Sequence, residues 1–156
     1  MKLLRYSILF SVFLFFCHSL MSQDMLDAAK KALDEGNCSL AKQNYDSYVR
    51  IFKKTDSQIE ARIEACFLES IQEEIDNCNC GLANSTYEKY KKIYNKKNAK
   101  IESNIKLCVK LQALLVAVRE SLDRGQCSSA RTYYEEYKKL SNKKDTEIER
   151  RIGLCE

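Results

Sequence analysis

The sequence predicts an all-α protein in which antiparallel helical hairpins, about seven helices in three repeats, are stapled by disulfides and stacked as a short α-solenoid. Three observations carry this. Cys38 and Cys66, Cys80 and Cys108, and Cys127 and Cys155 are each separated by 28 residues. Behind the first member of each pair stands one ladder: Ala41, Tyr45, Tyr48, then Ala83, Tyr87, Tyr90, then Ala130, Tyr134, Tyr137. Steps of 3, 4 and 3 from each cysteine place these residues on one face of an α-helix. Finally, the 156 residues include no proline, so no helix is broken by one.

The elements follow in order. Residues 1–22 begin with Lys2 and Arg5, continue through an apolar run from Ile8 to Phe16 and end in short polar residues. This is the layout of a signal peptide, with cleavage expected near Ser22 or Gln23. It is too short and asymmetric for a good membrane span. Acylation at Cys17 is opposed by the bulky Phe16 before it. Residues 23–156 then form the helical domain, with helices expected at roughly 24–35, 39–53, 57–77, 81–95, 99–124, 128–141 and 146–155. Gly36 and Gly125 fall at helix ends, where a positive φ closes the helix. The lysine pairs Lys53-Lys54, Lys96-Lys97 and Lys143-Lys144 mark helix C-termini, and Asp56, Asn98 and Asp145 are N-caps of the returning helices. Each returning helix repeats one stripe: Ile59, Ile63, Cys66; Ile101, Ile105, Cys108; Ile148, Ile152, Cys155.

A hairpin brings the cysteine at the head of its first helix level with the cysteine partway along the second. The expected bridges are therefore 38–66, 80–108 and 127–155, which place the chain in an oxidising compartment. Each hairpin has few large apolar residues, and a bridge closing such a loop removes roughly 3 to 4 kcal/mol of unfolded-chain freedom. Cys78 is the odd thiol, standing where the other repeats have glycine. It is read as a free or intermolecular thiol, through which a homodimer would form; bridging to Cys108 in place of Cys80 stays open.

The stretch Gly36, Ala41, Tyr45, repeated as Gly125, Ala130, Tyr134, resembles the tetratricopeptide repeat family. The likeness covers most of residues 23–156. Cysteine replaces the usual aromatic at 38, 80 and 127, tyrosine replaces a small residue at 48, 90 and 137, and the period is 42 and then 47 residues. The resemblance implies a non-catalytic adaptor for a protein or peptide, and the N-terminal segment with the expected disulfides places it as an exported protein, periplasmic or extracellular, in a bacterial envelope.

Composition narrows the function. Without Lys2 and Arg5, 24 basic residues face 22 acidic ones, a balance that opposes nucleic-acid binding. The one histidine, His18, lies in the export segment, leaving no histidine for a catalytic triad, and the four glycines form no phosphate cradle. No enzyme, metal site or cofactor is expected. Most repeated tyrosines are expected in the core, with Tyr94 and Tyr133, which fall off the repeated pair, as candidates for a partner surface. The run from Leu107 to Val118 is apolar nearly all round, as in a helix covered on several sides. Leu111, Leu114, Leu115 and Val118 are the other candidate contacts for a partner. Lys53, Lys54, Lys96, Lys97, Lys143 and Lys144 form a candidate rim for an anionic glycan or lipid, the only expected route to a membrane.

Overall fold

In a computed structural model of the chain, residues 21–155 are described. The predicted export segment, with Cys17 and His18, lies outside them except for Met21 and Ser22. All regular structure among the described residues is α-helical. Helix α1 covers residues 21–34. It is followed by α2 (Cys38–Phe52), α3 (Ser57–Asp76), α4 (Cys80–Tyr94), α5 (Ala99–Asp123), α6 (Cys127–Ser141) and α7 (Thr146–Gly153). None is long and apolar enough to cross a membrane. The chain divides into two compact units, with the boundary between Ser70 and Ile71 inside α3.

Helices α2, α4 and α6 are copies of one another, each 15 residues long and each beginning with its cysteine. Every copy is preceded by the same helix stop. In the first, the N–H of Gly36 donates to Leu33 O and that of Asn37 to Ala32 O, at 3.0 and 2.8 Å. Cys78 and Asn79 repeat this on Ile75 and Glu74, and Gly125 and Gln126 on Leu122 and Ser121. This double bond satisfies the last carbonyls of a helix and requires a left-handed residue. The values of φ are 70° at Gly36, 71° at Gly125 and 60° at Cys78. Cys78 adopts this conformation against its own Cβ. Cys78→Gly is therefore expected to raise the unfolding free energy by about 1 kcal/mol, measured by urea titration under non-reducing conditions; an unchanged or lower midpoint would contradict it.

At their other end the three copies close on a left-handed residue as well, Lys53, Asn95 or Asn142, with φ between 51° and 54°. The lysine pairs thus lie beyond the last helical turn, and Lys53-Lys54 sits one position earlier in the repeat than Lys96-Lys97 and Lys143-Lys144. The next helix is capped as expected. Asp56 Oδ1 accepts from the N–H of Gln58 and Ile59, Asn98 Oδ1 from Ile101, and Asp145 Oδ1 from Glu147 and Ile148.

The repeated tyrosines are core, and the first of each pair also latches the loop. Tyr45 accepts a hydrogen bond from the N–H of Asp56 at 2.7 Å and donates to its carbonyl at 3.0 Å. Tyr87 does the same to Asn98 and contacts Glu102 Oε1 at 3.1 Å; Tyr134 does the same to Asp145. One hydroxyl therefore satisfies the N–H of the cap residue that starts the returning helix and gives its carbonyl a second partner beside the N–H of Glu60, Glu102 or Glu149. The second tyrosine stacks on the first, with centroids 6.0 to 6.2 Å apart in all three. Burial pushes the Tyr45 and Tyr134 phenols above their ordinary range.

The disulfides join Cys38 to Cys66, Cys80 to Cys108 and Cys127 to Cys155, with Cα atoms 5.5 to 5.7 Å apart. In the first unit the core comprises Ala29, Ala32, Ala41, Tyr45, Tyr48, Ile59, Ile63 and Phe67. In the second, the long α5 uses two faces in succession. Its first half buries Ile101, Ile105 and Cys108; its second half buries Leu114, Val118 and Ser121. The six-residue step between these sets turns the buried face by about a third of a turn. That rotation is why the sequence looks apolar all round, yet Val109 and Val116 remain about half exposed. The second face packs with Tyr134, Tyr137 and Ile148 of α6 and α7.

Candidate functional site

Between its two buried faces α5 carries a third row, Leu107, Leu111 and Leu115, spaced four residues apart and so aligned along the helix. This row floors an open cleft of about 180 Å³ within the second unit. One wall is the end of α3 and its stop, Ile75 and Cys78. The other is the end of α6, Tyr137 and Ser141. Asp76, Asn104, Gln112 and Lys143 give the cleft a polar margin, and Cys108 also reaches it. Leu107 is 40 % exposed, so the floor is open to solvent.

A difference between repeats explains the opening. Arg62 on α3 reaches Asp34 at the end of α1 at 3.0 Å, and Arg151 on α7 reaches Asp123 at the end of α5 at 2.6 Å; both pairs are 28 residues apart. The corresponding pair in the second hairpin is Asp76 and Asn104. The shorter amide donates to Gln72 Oε1 at 3.4 Å. Both Asp76 and Asn104 line the cleft, where the neighbouring hairpins have an ion pair across the two helices. The sequence reading missed Asn104; its place in the repeat, where the other two have Arg62 and Arg151, is the signal that could have found it.

The candidates predicted from sequence divide as follows. Leu111, Leu115, Cys78 and Lys143 come together at the cleft. Leu114 and Val118 do not form a surface: they are 8 % and 0 % exposed, because the second face of α5 is covered by α6 and α7. Tyr133 is exposed on α6. Tyr94 is half-buried, 5.1 Å from the Tyr90 ring, with Lys96 Nζ 5.9 Å from its own centroid. Neither tyrosine lines the cleft. Cys78 is exposed and unbridged.

All six loop lysines are exposed; Lys53 and Lys54 belong to the first unit and the other four to the second. Lysines one turn earlier are engaged. Lys91 pairs with Glu88 and Lys138 with Glu135, each at 2.7 Å, and each ammonium lies 5.1 Å from the centroid of the latch tyrosine, Tyr87 or Tyr134. The hydrogen bond to the glutamate raises the pKa of both lysines. Among the described residues no group of three or more His, Cys, Asp or Glu side chains is placed to hold a metal ion.

An open apolar floor with mixed polar margins suits aliphatic or aromatic side chains presented by another molecule. Compared with known proteins, the chain matches no family model, no curated protein and no solved structure.

Proposed function

We propose that the chain is an exported, non-catalytic adaptor that binds a protein or peptide segment, and that the cleft on α5 is where the segment docks. The carrying observation is the row Leu107, Leu111, Leu115, exposed at Leu107 and partly buried at the other two, which lines the cleft with the ends of α3 and α6. Three disulfides suit an oxidising compartment, and the N-terminal pattern of residues 1–22 supports export. The likeness to tetratricopeptide repeats supports the same role.

Panning the oxidised protein against a random peptide library tests this. Enriched peptides should share two large apolar residues three or four apart, the spacing of one helix face. Leu107→Glu should weaken their binding at least about tenfold, or roughly 1.4 kcal/mol, without lowering the unfolding midpoint, since Leu107 is already 40 % exposed. Absence of enrichment, or peptides that bind the variant equally well, would contradict the proposal. The exposed loop lysines favour a second reading, capture of an anionic glycan or lipid. Its mark is retention on heparin that collapses near about 0.5 M salt.

A further inference from the structure

We infer that the second hairpin is a thiol–disulfide exchange site, in which Cys78 displaces Cys80 from its bond to Cys108. Three cysteines belong to this hairpin and its stop, where each of the other hairpins has two. Cys78 holds the left-handed position that Gly36 and Gly125 hold elsewhere. Both sulfurs of the existing bridge contact carbonyls of the helix stop in which Cys78 stands. The Cys80 sulfur is 3.6 Å from Cys78 O. The Cys108 sulfur is 3.8 Å from Ile75 O, the same oxygen that accepts the Cys78 N–H at 3.0 Å. The Cys78 backbone and the Cys108 sulfur thus meet at one carbonyl. Cys78 and Cys108 also border the same cleft.

The step is balanced within the molecule. The Cys78 thiol gives its proton to solvent, and the thiolate attacks the Cys108 sulfur. The Cys78–Cys108 bond forms as the Cys80–Cys108 bond breaks, and Cys80 leaves as a thiolate that takes a proton from solvent. One disulfide is exchanged for another, and no oxidant or reductant is consumed. The consequence is a change in which thiol is presented. Cys78 is exposed, whereas Cys80 is 1 % exposed at the start of α4. One isomer offers a thiol at the margin of the cleft and the other hides it in the core. This inference does not rest on the adaptor reading.

The test is to incubate the oxidised protein at about pH 8, where thiolate is available to attack, quench in acid, block free thiols with a maleimide and map the fragments without reduction. Fragment ions must separate Cys78 from Cys80, which only Asn79 divides. Label on Cys80 together with a Cys78–Cys108 linkage is the expected result; label confined to Cys78 after prolonged incubation would overturn the inference. Cys80→Ser supplies an independent arm. In the variant, oxidative folding should join Cys78 to Cys108, leaving neither open to maleimide, whereas a folded variant with both thiols free would overturn it. Should the variant not fold, the wild-type map decides alone.

Discussion

Replacing both Cys38 and Cys66 with serine is expected to lower the unfolding free energy of the first unit by about 3 to 4 kcal/mol. The bridge joins the first residue of α2 to the middle of α3 and closes a 28-residue separation, so its removal returns that loop's freedom to the unfolded chain. Few other contacts offset the loss. The unit's core includes three alanines and no large aliphatic side chain beyond Ile59 and Ile63. The ion pair between helices from Arg62 to Asp34 is exposed on both sides and contributes at most about 1 kcal/mol. Domains of this size have only about 5 to 15 kcal/mol to lose. Urea titration of the double variant, followed by helical circular dichroism, measures the effect; a loss below about 1 kcal/mol would show that the helices hold without the staple.

Tyr87→Phe is expected to cost about 1 to 2 kcal/mol although it removes a single oxygen. The ring stays and keeps its stacking on Tyr90, 6.0 Å away. The N–H of Asn98, 2.7 Å from the hydroxyl, loses its partner, the Asn98 carbonyl keeps only the N–H of Glu102 at 3.0 Å, and Glu102 Oε1 loses its contact. Tyr45→Phe and Tyr134→Phe should behave alike, since each hydroxyl makes the same pair of bonds to Asp56 or Asp145. Denaturant titration of all three compares them directly. Losses under about 0.5 kcal/mol would mean that water replaces the hydroxyl at no cost, and that the latch does not hold the loop.

These two devices differ in how far the sequence disclosed them. The staples were legible because equal spacing of cysteines survives any detail of packing, and the helices because the Ala-Tyr-Tyr ladder is local and periodic. Burial of the tyrosines followed from the same stripe. Their hydroxyl bonds did not: a latch from position 45 to position 56 crosses the hairpin turn, and helical periodicity says nothing about what a side chain meets there. The site was only partly legible for a similar reason. Leu111 and Leu115 border the cleft while Leu114 and Val118 are buried. All four belong to one apolar run, and the division among them is made by Tyr134, Tyr137 and Ile148, residues far along the chain. Cys78, by contrast, was visible as a departure from the repeat, and Asn104, in the place of Arg62 and Arg151, was one that went unread. Both fall at the cleft, where the second hairpin differs from its neighbours.

The most direct measurement is a map of the linkages in native protein, collected and quenched in acid before any exchange. Fragments joined as 38 with 66, 80 with 108 and 127 with 155, and Cys78 carrying the blocking label, are expected. A bond that joins cysteines of two different hairpins would contradict three copies of one stapled unit.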